Sequence, residues 1–256
     1  MTAGHLLVER RDGRLDVVLN RPDKRNALSR ALLADIRRTF DELSGDETLR
    51  VAVLRGAGDK SFAAGGDLKD LEAVRTLPEA EEMAFEARAA LEAVRRFPVP
   101  VVAALNGDAL GGGAELASAC DFRVGAAHAR IGFIQGRLNI ATAWGGGVDL
   151  MHIVGPTTAL RLMSRSDILD MADARAVRLV DVVAGDDGLD AAVDGFVAPI
   201  LKQAPQVVRA FKALANAHRA GAPRAELYAL ETERFARTWV HDDHWEAAAR
   251  ALPGKK

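Results

Sequence analysis

Two short glycine-rich stretches carry the residues best suited to chemistry. Gly111-Gly112-Gly113 runs directly into Ala114-Glu115-Leu116, and Ser61-Phe62-Ala63-Ala64-Gly65-Gly66-Asp67 forms a second loop of small residues. Glycines at the start of a helix free backbone N–H groups that have no intrahelical partner. Those donors sit at the positive end of the helix dipole and suit a negatively charged oxygen. With a second N–H from another loop, such a helix start makes an oxyanion hole, which stabilises charge developing on a carbonyl oxygen. On the residues alone, both loops serve equally well as tight packing turns.

Other uses of these residue types fail on spacing. Gly56-Ala57-Gly58-Asp59-Lys60-Ser61 has Asp59 where a phosphate loop needs glycine before the lysine. Gly111-Gly112-Gly113 lacks the last glycine of a dinucleotide fingerprint, a position held by Leu116. Ser118 is outside any Gly-x-Ser-x-Gly setting. His5, His128, His152 and His218 show no metal-ligand spacing, and His241 and His244 lack a third ligand. No metal is expected.

The motifs do match one pattern. Ser61 to Lys69 (SFAAGGDLK) resembles the first signature of the enoyl-CoA hydratase/isomerase, or crotonase, superfamily. Asn106 to Leu116 (NGDALGGGAEL), followed by Cys120-Asp121-Phe122-Arg123, resembles the second, and Asn20-Arg21-Pro22 with Arg25-Asn26-Ala27-Leu28 matches the N-terminal stretch. The order and spacing agree over most of the chain. The resemblance implies a substrate that is an acyl-coenzyme A thioester. No separate cofactor is implied, because coenzyme A arrives as part of the substrate. It also implies a homotrimer or a dimer of trimers. It puts the two oxyanion-hole N–H groups on Gly66 and Gly112, and Ala64 beside the adenine. Arg25 and Lys69 fall near the pantetheine and phosphate end of coenzyme A, with Asp67 in the same binding segment.

Hydratases of this superfamily set two glutamates around the acyl chain. The resemblance carries the first onto Glu115, as acid/base, and the second onto Gln135. Glutamine orients a water or an amide but neither takes up nor delivers a proton at neutral pH. Syn-hydration by two carboxylates is therefore called into question, whereas loss of CO2 from a malonyl-type thioester forms the enolate without a base. Trp144, ahead of Gly145-Gly146-Gly147, resembles the ethylmalonyl-CoA decarboxylase-like branch and is expected at the substrate; core packing is its alternative. A non-catalytic CoA- or RNA-binding member of the fold is the reading from a different class.

Elements that would position these residues follow from periodicity. Leu15–Leu19, Val51–Leu54 and Val101–Leu105 are short apolar runs bounded by turn residues and read as buried strands. Asp121–Gly125 and Ala129–Phe133 read as further strands. Ser29 is a plausible N-cap for a helix carrying Leu32, Leu33, Ile36, Phe40 and Leu43. Helical patterns are also expected at Leu68–Val74, Glu79–Phe97, from Ala114 to Cys120, after Gly145 and after Pro156. Alternating strands and helices give an α/β fold, and the resemblance implies a crotonase-like spiral of ββα turns with a C-terminal helical region. The spiral core is expected over residues 1–190. The helical region follows over 191–256, broken at Pro199, Pro205 and Pro223.

Composition excludes several partners. The chain has 256 residues, 49% hydrophobic and 27% charged, and 34 Lys and Arg against 36 Asp and Glu give a net charge of -2. A protein that binds nucleic acid through its phosphates usually carries a basic excess, and none is present. The apolar run Val99–Leu105 is interrupted by Pro100 and too short to span a bilayer. Cys120 is the sole cysteine, which precludes an intrachain disulfide and suits a reducing compartment. Met1–Arg14 lacks the apolar run of a signal peptide, so the cytoplasm is expected.

Overall fold

The structure, a computed structural model, describes residues 4–251. It opens with β1 (Leu6–Arg11) and β2 (Arg14–Leu19), then α1 (Arg30–Leu43), β3 (Val51–Gly56) and β4 (Ser61–Ala63). Next come α2 (Leu77–Arg95), β5 (Val101–Leu105), β6 (Asp108–Leu110), α3 (Gly112–Ala119), β7 (Phe122–Gly125) and β8 (Arg130–Gly132). There follow α4 (Gly146–Val154), α5 (Pro156–Arg165), β9 (Ile168–Asp170), α6 (Met171–Ala176) and β10 (Val182–Val183). Four helices close the described chain: α7 (Gly188–Leu201), α8 (Pro205–Arg219), α9 (Arg224–Trp239) and α10 (Asp242–Ala251). This is the expected α/β class.

The strands form two sheets, ordered β1-β2-β3-β5-β7-β10 and β4-β6-β8-β9. In the larger, β2, β3, β5 and β7 run parallel, with Leu15 opposite Ala52, Ala52 opposite Val101 and Ala103 opposite Arg123. Parallel strands covered on both faces need near-continuous apolar sequence, and Val51–Leu54 and Val101–Leu105 are buried throughout. On one face α1 and α2 join the main core, where Phe40 and Phe97 meet edge to face at 5.0 Å. On the other face Val193 and Val197 of α7 pack against Val51, Val53, Val102, Ala104 and Val124. Residue 190, the expected boundary, lies inside α7, and residues 1–3 and 252–256 of that division lie outside the described residues.

The smaller sheet positions the chemistry. β4 pairs parallel with β6, Ala63 opposite Ala109, so the chain leaves both strands in the same direction. Ala64-Gly65-Gly66 follows β4 and Gly111-Gly112 follows β6, and the two glycine loops therefore emerge side by side. A Cβ on Gly113 would overlap the carbonyl of Ala63, a closeness that only glycine permits.

Two sequence expectations need correction. Leu68–Val74 is a series of turns and bends rather than a helix. Leu68 is 63% exposed, so the segment lacks a buried face to hold a helix against the core. Pro199 does not break α7; it sits within the last turn, so the i→i−4 bond it cannot donate is one at the end of the helix. Pro205 opens α8 and Pro223 caps α9, both positions that tolerate proline.

Candidate active site

Glu115 lies in the first turn of α3 and is 2% exposed. An ionised carboxylate at that depth needs donors, and it has three. Oε2 accepts from the backbone N–H groups of Trp144 (3.0 Å) and Gly146 (2.9 Å), and Oε1 accepts from Gln135 Nε2 (2.9 Å). Burial nevertheless dominates and raises the pKa of Glu115. The Gly146 N–H, the Gln135 amide, the Trp144 N–H and the charge of Arg95 oppose the rise, in that order. The carboxyl is thus held in one orientation and poised to keep a proton above the ordinary glutamate range.

The two glycine loops leave donors free beside it. Gly112 is the first residue of α3, so its N–H has no intrahelical acceptor. Leu28 bridges the Gly66 segment through Leu28 N–H to Gly65 O (2.8 Å) and Asp67 N–H to Leu28 O (3.1 Å). That pattern passes over the Gly66 N–H. Among the described residues neither Gly66 N–H nor Gly112 N–H has an acceptor. Gly66, Gly112, Glu115, Gln135, Ala64 and Trp144 line a single cavity of about 340 Å³. Such an arrangement can receive a carbonyl oxygen at the glycines and exchange a proton at Glu115.

Trp144 roofs the glycines. A Cβ on Gly112 would overlap its six-membered ring, and one on Gly66 would lie 3.4 Å from Cη2. The loop carrying Trp144 is fixed from behind by Arg95 of α2. Arg95 donates from Nε to Asp149 Oδ2 (2.6 Å) and from Nη2 to the Trp144 carbonyl (3.2 Å), and both charged side chains are buried. A larger cleft of about 540 Å³ opens on that rear side, lined by Arg88, Arg95, Asp149, His152 and Arg219. It contains neither glycine donor nor Glu115, all of which line the smaller cavity.

Three expected binding residues are outside the cavity lining. Asp67 accepts from Arg21 Nη2 (2.8 Å), which depresses its pKa, and so acts as an internal strut. Arg25 and Lys69 are exposed; the Arg25 carbonyl accepts from Ala64 N–H (3.1 Å), tying the N-terminal motif to the wall of the site. Sequence reasoning missed the scaffolding role of Arg21, Asn26 and Asn106. Arg21 Nη1 donates to the Ala27 carbonyl. Buried Asn26 donates to the Ala57 and Ser61 carbonyls, and Asn106 Oδ1 accepts from Gly56 N–H. These residues lie within the quoted motifs, which was the available signal. Arg95 and Asp149 gave none, being 54 positions apart. Nor did Ala80, Met83 and Ala84, which line the cavity from one face of α2.

No group of three or more His, Cys, Asp or Glu among the described residues is arranged to hold a metal ion. No helix among them is long and apolar enough to cross a membrane.

Comparison with known proteins bears on this site. The family profile described as enoyl-CoA hydratase/isomerase matches residues 9–251. Crotonyl-CoA hydratase of Syntrophomonas wolfei is 32% identical over 84% of this chain and 83% of its own length. Ethylmalonyl-CoA decarboxylase of Xenopus laevis is 30% identical over 78% of this chain and 68% of its own. Among solved structures, enoyl-CoA hydratase of Mycobacterium smegmatis superposes with a TM-score of 0.90 at 28% identity, covering 96% of this chain and 95% of the other.

Proposed function

The chain belongs to the enoyl-CoA hydratase/isomerase family, and on that premise we propose that it binds an acyl-CoA thioester and stabilises its enolate between the N–H groups of Gly66 and Gly112. The observation that carries this is one cavity holding two unused glycine N–H groups and a buried, oriented carboxyl. The thioester carbonyl accepts from both glycines, and these bonds tighten as the oxygen becomes an enolate. Glu115 is the acid/base. In an isomerisation, its carboxylate takes a proton from the carbon next to the carbonyl, leaving the electron pair in the dienolate. It then returns that proton to the γ carbon as the double bond moves. In a hydration, Glu115 takes a proton from water as the hydroxyl adds to the β carbon and delivers it to the α carbon. Gln135 fixes Glu115 and transfers no proton itself.

Decarboxylation is the second reading, favoured by the amide at 135 and by the Xenopus laevis relative. The bond between the α carbon and the carboxylate of a malonyl-type thioester breaks, CO2 leaves, and its electron pair enters the enolate. Glu115 or water then protonates the α carbon. No base is needed to begin, so a single proton-handling group suffices.

The deciding experiment incubates the protein separately with crotonyl-CoA, a 3-enoyl-CoA, and methylmalonyl- and ethylmalonyl-CoA. Turnover of one of the enoyl esters supports the first reading, and CO2 release supports the second. No turnover together with no affinity for any CoA thioester would refute both.

A further inference from the structure

Trp144 stands between two cavities. One is the 340 Å³ cavity holding Gly66, Gly112 and Glu115. The other, about 370 Å³, lies between α1 and α2. Leu33, Ala34 and Ala87 line it, together with the exposed ion pair of Arg30 and Glu86. Among the described residues three side chains, Leu71, Met83 and Trp144, line both. Trp144 is the largest of them and is 7% exposed, while Leu71 and Met83 are partly buried. Its indole abuts Gly66 and Gly112, so the partition stands close to the reacting carbonyl and not at the far end of a tunnel.

Given the acyl-CoA reading of this cavity, on which the inference rests, we propose that Trp144 sets the acyl-chain length. A thioester carbonyl placed at Gly66 and Gly112 sends its acyl group along a wall that ends at the indole. Short acyl groups such as butyryl and crotonyl fit in front of it. A medium chain such as octanoyl meets the ring and, to remain bound, must displace a buried aromatic side chain or leave methylenes in water. Removing the indole joins the two cavities. The apolar lining between α1 and α2 then becomes available to a longer chain, whose burial is favourable in proportion to the area covered.

The test measures calorimetric affinity of the full chain for butyryl-CoA and octanoyl-CoA, saturated esters that undergo no net reaction. Wild type is expected to prefer butyryl-CoA, and Trp144→Ala to shift the ratio toward octanoyl-CoA by about tenfold or more. Adding Ala34→Phe to Trp144→Ala refills the second cavity and should reverse the gain. If Trp144→Ala does not fold, Met83→Ala opens the partition from its other side and should shift the ratio in the same direction. Equal affinity of wild type for the two esters, or a variant that weakens both alike, overturns the inference and leaves the acyl-CoA reading intact. Failure of wild type to bind either ester overturns that reading and the inference with it.

Discussion

Gln135 donates from Nε2 to Glu115 Oε1 at 2.9 Å, while its own Oε1 is buried without a protein partner. The contact has two consequences. It uses one of the amide's two N–H donors to hold the carboxylate, and it leaves Oε1 as a buried acceptor without a partner. A carboxyl in the same place would share a proton with Glu115, because two such groups in contact do not both ionise readily. Gln135→Glu is therefore predicted to raise hydration of crotonyl-CoA, by up to the roughly 10²–10⁴-fold typical of an added acid–base group. Initial rates of wild type and variant decide it. An unchanged or lower rate would show that hydration does not wait on a second carboxylate.

Glu115→Gln keeps the shape of the side chain and removes its proton chemistry. Turnover of enoyl substrates should fall by about 10²-fold or more, with CoA-thioester affinity changed little. A decarboxylation should fall much less, since its enolate forms without a base. Comparing kcat and Kd for both substrate classes separates a proton-transfer role from a structural one.

The raised pKa of Glu115 predicts a pH dependence of stability. Burial, its largest cause, makes the native carboxyl hold its proton to a higher pH than the unfolded one does. Between the two values the native state binds more protons, so stability falls as pH rises. Relative to Glu115→Gln, wild type should lose stability from about pH 4.3, the unfolded value, up through the native pKa, and level off above it. Denaturant midpoints across pH 4 to 8 on the two proteins measure this. A difference that grows in favour of wild type as pH rises would mean that the three hydrogen bonds outweigh burial.

The Arg95–Asp149 pair should hold both the fold and the site. Asp149→Asn removes the buried carboxylate of the pair, leaves Arg95 with only the half-exposed Glu92 at 3.4 Å, and loosens the grip on the Trp144 carbonyl. Breaking a buried pair from one side typically costs about 3–5 kcal/mol. Denaturant unfolding should show a loss of that order, and Arg95→Met with Asp149→Leu should recover much of it. If the single variant is as stable as wild type, the loop is held by other contacts.

Much of this was legible in the residues. Parallel strands buried on both faces require apolar runs, which made β2, β3 and β5 readable, and Ser29 was readable because its side chain accepts from the Leu32 N–H at the start of α1. The short strands β4 and β6 were not: three residues are too few for a periodicity, and they pair with each other across more than 40 positions of sequence. Gly66, Gly112, Glu115 and Gln135 were placed together by motif resemblance, and the structure brings them to one cavity. Asp67 was read as a binding residue because it stands in the same motif, whereas its carboxylate faces Arg21, 46 positions away. The α2 wall and the Arg95–Asp149 strut arise from helix packing between distant segments, which no local pattern encodes.

The central claim is that the cavity makes an enolate at Gly66 and Gly112 with Glu115 handling the proton. Deuterium exchange tests it without reference to the final reaction. Incubated with butyryl-CoA in D2O, wild type should introduce deuterium at the carbon next to the thioester carbonyl, seen by NMR or mass spectrometry, and Glu115→Gln should introduce none. Wild type that binds butyryl-CoA and leaves that carbon unlabelled would contradict the account.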